Sequence, residues 1–387
     1  MSEISPQFST FAGQKQGRVR LAIVAPSLRK MGGQAVQADL LMRNWRHDLS
    51  VEAMFVPTDP EFPAFIAWME RVPFLRTVVR MPIYWSKVWR AARQADVVHI
   101  FSASYWSFLL APTPAWMISR LRGTKTVLNY HSSEARDHLK RSAISRAVLR
   151  RMDTRVVPSG YLQHVFKEFD MSAEIVPNLV DLTQIQKRER NPLRPVLICN
   201  RGFEPYYAVD DVVRAFSRVK QEFANAKLVL VGSGSQERQV RALVAQLGLS
   251  NVEFVGNIAR DQIGRYCNEA DIFVNASVLD NTPVSILEAF AAGTPVISTG
   301  PEGIRYLVEH GRTGLLSDPR NWEALGDNVI ALLRDQNLAL RLARNAHDQS
   351  HLYHWNSVRG KWVHLYRSVM CGMTGSPSTR KVTAEGC

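Results

Sequence analysis

Short β-branched runs alternate with helical patterns along most of this chain, and the whole series occurs twice. Residues 19–25, 51–56, 96–101, 125–130, 155–158 and 174–177 read as strands bounded by turn residues. Residues 34–45, 86–94 and 141–151 between them carry helical spacing. Strand and helix at this interval imply parallel β-α-β units, hence a doubly wound sheet covered on both faces. Residues 184–195 break the pattern: Lys187, Arg188, Glu189, Arg190, Pro192 and Pro195 without apolar periodicity have the composition of an interdomain linker. A second series follows, with strands at 196–200, 228–231, 252–255, 271–275 and 296–299 and helices at 209–223, 236–247 and 284–292. Two Rossmann-like domains in tandem result. Open sheets of this kind bind ligands at the carboxyl ends of their strands, so the cleft between the halves is where chemistry is expected.

The expected organisation is a tail at 1–17, a first domain at 18–183, the linker at 184–195, a second domain at 196–350, a C-terminal helix at 351–373 packing back on the first domain, and a tail at 374–387. Both tails lack periodic apolar positions and are expected to fray. In the helical stretch 321–370, Trp322, Tyr353, Trp355, Trp362 and Tyr366 are read as packing residues.

Length and burial capacity suit two cores: 387 residues with 46% hydrophobic side chains exceed what one core usually organises. Cys199, Cys267, Cys371 and Cys387 are scattered, with neither a C-x-x-C nor a Cys/His cluster, so no metal site and no disulfide framework is expected. The most apolar stretch, 105–118, is short and broken by Pro112 and Pro114, so no membrane span is expected. The charge of +13 is uneven: residues 1–190 carry 27 basic and 16 acidic side chains, residues 191–387 carry 21 and 19. The basic first half, with Tyr84, Trp85, Trp89, Trp106 and Trp116, suits an anionic membrane surface. No nucleic-acid-binding module is recognisable, and nucleic acid is not an expected partner.

The most informative segment is DNTPVSILEAFAAGTPV, starting at Asp280. A strand ends before it, a polar loop follows, and a helix opens with Thr282 read as N-cap and Pro283 as first helical residue. The N-terminus of such a helix offers unpaired N–H groups and the positive end of a dipole to an anion such as a diphosphate. Glu288, in the second turn, and Asp280, in the loop, are carboxylates suited to accept hydrogen bonds from ribose or sugar hydroxyls. Paired glycines, Gly32 and Gly33, after the first strand let the backbone approach a ligand or an opposing loop closely.

That string resembles the E-x7-E signature of retaining glycosyltransferase family 4, with Asp280 at the first Glu and Glu288 at the second. IVPNLVD at 175–181, LVLVGSG at 228–234, VEFVG at 252–256 and GRTGLL at 311–316 are similar to further family segments in the expected order. The resemblance spans residues 18–370 and is strongest after Asn200. It implies the GT-B architecture, an α/β fold of two Rossmann-like doubly wound domains facing a cleft. It also implies transfer of a sugar from a nucleoside-diphosphate sugar, expected to be a UDP-sugar, to a hydroxyl with retention of configuration and without a metal cofactor. By the same resemblance Glu288 binds the ribose and Asp280, one methylene shorter than Glu, contacts the donor sugar. The backbone of Asn281, Thr282 and Val284 lies near sugar and phosphates, while Pro283 has no N–H. Arg201 clamps the diphosphate, and Tyr207 stands where the family has a second clamp, a Lys. Gly32, Gly33, Gly232 and Gly256 fall in donor-side segments, His131 matches a donor-site His, and Glu134 and Asp137 orient the acceptor. The catalytic set is thus expected to be Arg201, His131 and Asp280. The expected acceptor is a lipid-linked glycan or polysaccharide, and the expected location is cytoplasmic, peripheral at the inner face of the plasma membrane. Two alternatives stay open: a non-catalytic sugar-nucleotide-binding protein, and a GT-B epimerase.

Overall fold

The computed structural model describes residues 17–29, 32–102, 104–181 and 185–372. The expected tails, apart from Gly17, lie outside them, as do Leu182 and Thr183 at the end of the expected first domain and Gln184 at the start of the linker. In chain order the first half runs β1 (Val19–Ala25), α1 (Gly33–Trp45), β2 (Val51–Pro57), α2 (Pro73–Gln94), β3 (Val97–Ser102), α3 (Tyr105–Leu110), α4 (Pro112–Leu121), β4 (Lys125–Tyr130), α5 (Ala135–Arg141), α6 (Ala143–Arg151), β5 (Thr154–Val157), α7 (Gly160–Glu168) and β6 (Glu174–Ile175). The second runs β7 (Val196–Cys199), α8 (Val209–Glu222), β8 (Lys227–Val231), α9 (Glu237–Gln246), β9 (Val252–Gly256), α10 (Ile263–Glu269), β10 (Ile272–Asn275), α11 (Val284–Ala291), β11 (Val296–Thr299), α12 (Glu302–Arg305), β12 (Leu315–Ser317), α13 (Trp322–Arg334), α14 (Gln336–Ser350) and α15 (Trp355–Met370).

Two parallel sheets form, ordered β2-β1-β3-β4-β5-β6 and β12-β11-β10-β7-β8-β9. Side chains alternate across each strand, so each sheet has a core on both faces. Along β1, Ala22 and Val24 enter one cluster with α2 residues Tyr84 and Val88, while Leu21, Ile23 and Ala25 enter another with α1 residues Leu41 and Trp45. Along β10, Ile272 and Val274 face α8 and α13, and Phe273 faces α11. Strand order reverses between β1 and β3 and again between β7 and β10, which opens a crevice at the carboxyl end of each sheet.

Several expectations are corrected. The helix expected at 86–94 begins at Pro73, and the one expected at 141–151 is two helices broken at Ser142, whose hydroxyl caps the second. Strand β12 was not anticipated, because three residues carry too little periodicity to read. Residues 185–195 do not form a loose linker. Ile185 and Leu193 are core residues of the second domain, and Arg190, 2% exposed, donates to the carbonyls of Cys267 at 2.7 Å, Ala270 at 2.8 Å, Ala292 at 2.8 Å and Gly293 at 2.9 Å. These carbonyls end α10 and α11, where the last turns lack intrahelical donors, and one guanidinium with five N–H groups satisfies both ends.

The last helix returns to the first domain. Val358, Trp362 and Tyr366 of α15 join the β1/α1 cluster, Trp355 meets Trp45 edge-on at 4.5 Å, and the Tyr366 hydroxyl pairs with His99 Nδ1 at 2.8 Å. The halves also touch directly. Ser159 Oγ donates to Asn281 Oδ1 at 2.6 Å, Asn178 Nδ2 to the Thr282 carbonyl at 3.2 Å, and Arg136 pairs with Glu302 at 2.6 Å.

Candidate active site

A cleft of about 940 Å³ runs between the carboxyl ends of the two sheets. The β1–α1 turn contributes Leu28, Gly33 and Gln34, and the end of β4 contributes His131 and Ser133. From the second sheet come Asn200 to Gly202 after β7, Gly232 to Gly234 after β8, Asn257 to Ala259 after β9, and Asp280 to Ser285 after β10, with Glu288. Segments separated by up to 260 positions in sequence therefore meet at the two crevices.

The β10–α11 segment forms the floor. Helix α11 starts at Val284, with Pro283 in extended conformation as its N-cap. Thr282 is thus not the cap: its hydroxyl reaches Asn281 Oδ1 at 3.4 Å, and its carbonyl serves Asn178 across the domain boundary. Pro283 accepts from Ile286 at 3.2 Å, which places the first N–H groups of the helix, those of Val284 and Ser285, at the cleft. Glu288 is buried on the same helix and accepts from Asn200 Nδ2 at 3.1 Å.

Arg201 is engaged on three sides. One Nη pairs with Asp280, the other donates to Ser285 Oγ at 3.0 Å, and the guanidinium lies over the Tyr207 ring at 3.9 Å from its centroid. Burial opposes the charge on Arg201, but Asp280, followed by Tyr207, more than offsets it, so the pKa is raised and the side chain stays cationic. Burial pushes the Tyr207 phenol up to about 12, so it stands neutral. The residue at the expected Lys position therefore contributes a π face and no charge.

His131 lines the cleft and stacks on Phe101 at 5.3 Å. Although its ring remains partly accessible, dense packing pushes its pKa down to about 3. At neutral pH it is an uncharged imidazole, and its Nε2 has no hydrogen-bond partner among the described residues.

The glycines differ in their roles. Gly232 has φ of +135° and a Cβ there would sit 2.3 Å from the Arg201 carbonyl oxygen, so only glycine lets the β8 turn pack behind Arg201. Gly33 has open space among the described residues where a Cβ would be, which leaves room for a ligand. Gly32 and Gly256 do not line the cleft: Gly32 precedes α1, and Gly256 accepts from the Gly232 N–H at 2.9 Å. Glu134 and Asp137 are not among the residues that line the cleft, and Asp137 is held by the Tyr105 hydroxyl and by Arg141 at 2.8 Å. Lys30 and Met31 of the glycine loop are outside the described residues.

Two contributors went unread in the sequence. Asn200 holds Glu288, and Gly303 carries the 280–281 turn: a Cβ at Gly303 would sit 2.3 Å from the Asp280 carbonyl oxygen and 2.6 Å from Asn281 Cα. A glycine in the first turn of a four-residue helix is the only local signal of that contact. Of the aromatic residues grouped with the basic half, Tyr84 is fully buried with its hydroxyl on the Ala111 carbonyl at 2.8 Å, and Trp116 is half-buried against the core. Trp85, Trp89 and Trp106 are exposed.

Comparison with known proteins agrees with this geometry. The family model described as Glycosyltransferase Family 4 matches residues 31–184, and that described as Glycosyl transferases group 1 matches residues 181–349. The GDP-mannose-dependent alpha-(1-6)-phosphatidylinositol monomannoside mannosyltransferase of Mycobacterium tuberculosis is 27% identical over 306 residues, 72% of this chain and 76% of that protein. The phosphatidyl-myo-inositol mannosyltransferase of Mycobacterium leprae is 23% identical, covering 91% of this chain and 97% of its own. Among solved structures, Anabaena HepE in complex with UDP-glucose superposes with a TM-score of 0.69 at 17% identity, over 91% of this chain and 100% of that one. With both halves matched in order, the chain belongs to glycosyltransferase family 4 and is a glycosyltransferase of GT-B architecture.

Proposed function

We propose that the enzyme transfers a sugar, with retention of configuration, from a nucleoside-diphosphate sugar to a hydroxyl of a lipid-linked glycan or polysaccharide. The observation that carries this reading is the convergence of Glu288, Arg201 and the α11 N-terminus on one cleft. Glu288 accepts from the ribose hydroxyls, oriented by Asn200. The diphosphate sits between Arg201 and the first N–H groups of α11, where a guanidinium and a helix dipole favour an anion together. As the bond from the sugar to the diphosphate breaks, negative charge grows on the leaving phosphate, and both groups stabilise it. The acceptor oxygen bonds to the anomeric carbon on the face the phosphate leaves, and its proton passes to the departing phosphate oxygen. His131, being neutral, acts as a hydrogen-bonding group toward the sugar. The reading requires no metal, since the charge on the leaving group is met by Arg201 and backbone N–H groups.

The donor base and acceptor are read more coarsely. HepE was solved with UDP-glucose, while the Mycobacterium tuberculosis relative is named for GDP-mannose and a phosphatidylinositol mannoside; we favour a UDP-sugar. For the acceptor, α2 and α4 present Trp85, Trp89, Met117 and Leu121 outward beside Arg90, Arg93, Arg120 and Arg122, and the Arg122 guanidinium lies over Trp89 at 4.9 Å. Exposed aromatics among cations suit the headgroup region of an anionic bilayer, which supports reading the enzyme as a peripheral protein on a membrane that carries its acceptor. No helix among the described residues is long and apolar enough to cross a membrane.

A panel of UDP-, GDP- and ADP-sugars assayed with lipid-extracted acceptors tests this. Sugar transfer with an α-linked product from an α-linked donor is expected. Acceptor-independent release of nucleotide, or an inverted product, would overturn the mechanism.

A further inference from the structure

We propose that Asp280 serves as an exchangeable counterion of Arg201, occupying the guanidinium in the donor-free cleft and yielding it to the donor's diphosphate. This rests on the reading of Arg201 as the phosphate-binding group.

Among the described residues the cleft is short of cations. Its lining includes two basic residues, Arg43 and Arg201, against Glu204, Asp280 and Glu288. Arg43 pairs with Asp39 at 2.8 Å, and Tyr207 is neutral where a second cation was expected. Among the described residues Arg201 is therefore the one guanidinium at the crevice between β7 and β10, and Asp280 already holds it. A diphosphate and a carboxylate cannot both take the same Nη groups, and their charges repel.

The surroundings favour exchange by side-chain rotation. Arg201 is fixed independently of Asp280 by the Tyr207 face and by Ser285 Oγ at 3.0 Å. The Asp280 backbone is pinned by the close approach of Gly303. The carboxylate has other donors within reach: the Asn281 N–H at 2.9 Å and Ser277 Oγ at 3.3 Å. Donor entry thus displaces only a side chain, and the carboxylate it displaces remains in the cleft. Donor binding carries a standing cost from this competition, and Asp280 sets it.

The test is calorimetric titration of UDP and UMP into the full chain and into Asp280→Asn. The amide keeps the shape and removes the competing charge, so UDP binding is expected to tighten about tenfold or more (~1.4 kcal/mol per tenfold), with little change for UMP, while turnover falls. Asp280→Glu, which restores the carboxylate, is expected to return UDP affinity toward the wild-type value, and its folding guards against a misfolded Asn variant. UDP affinity unchanged or weakened in a folded Asp280→Asn would overturn the counterion role while leaving the donor site standing. A wild type that binds neither nucleotide would overturn the donor-site reading and the inference with it.

Discussion

Replacing Arg190 by Met tests whether the segment before the second domain is structural. The substitution keeps most of the side-chain volume and removes five hydrogen bonds, to the carbonyls of Cys267, Arg188, Ala270, Ala292 and Gly293. Charged donors contribute about 1.5–3 kcal/mol each when deleted singly, but the sum overstates the loss. Burial pulls the Arg190 pKa down to about 10, a desolvation cost on the order of 3 kcal/mol that the Met variant no longer carries. Water also reaches some of the freed carbonyls. The net loss is expected near 3–5 kcal/mol, as for two or so buried carbonyls left without a donor at about 1–3 kcal/mol each. Urea unfolding followed by tryptophan fluorescence, with proteolysis to separate the domains, should show the loss in the transition of the second domain. Arg190→Lys, which keeps the charge without the five-donor fork, should fall between the two. A loss under about 1 kcal/mol in Arg190→Met would refute the stapling role.

Gly303→Ala should weaken UDP binding with little change in the first domain's unfolding, because the added Cβ pushes on the Asp280–Asn281 backbone; nucleotide titration checks it. Acid should destabilise the first domain. Burial holds His99 and His131 near pKa 3 in the folded state against about 6.5 unfolded. Between those values the unfolded chain binds the extra protons, so stability is complete above pH 6.5 and declines as pH falls, by up to about 1.4 kcal/mol per pH unit for each histidine; His99→Gln should flatten that slope in denaturation midpoints. Reversing Arg90 and Arg93 to Glu should abolish flotation with anionic vesicles and leave soluble-acceptor turnover intact, with unchanged flotation counting against the α2 face.

Much of the fold was legible because parallel strands buried on both faces leave runs such as VRLAIVA and VVHIFS that nothing in a helix reproduces. Helix α11, proposed to bind the donor, was legible from Pro283 and the small-residue run after Glu288, although it starts one residue later than expected because Pro283 caps it from outside. What stayed hidden depends on partners distant in sequence. Arg190 reads as a solvated charge among charges until two helix ends close around it. Tyr84 and Trp85 are adjacent and chemically alike, and only the rotation of α2 sends one inward and the other outward. The pairing of Asp280 with Arg201 joins residues 79 positions apart, and no local pattern signals it.

The central claim is that Glu288, at the cleft-facing end of α11, binds the ribose of a nucleoside-diphosphate donor. Titrating UDP into the wild type and into Glu288→Ala measures it directly. The account predicts a 10- to 100-fold loss of affinity, about 1.5–3 kcal/mol for hydrogen bonds to a carboxylate, with the domains still folded. Equal affinity in the two proteins would contradict it.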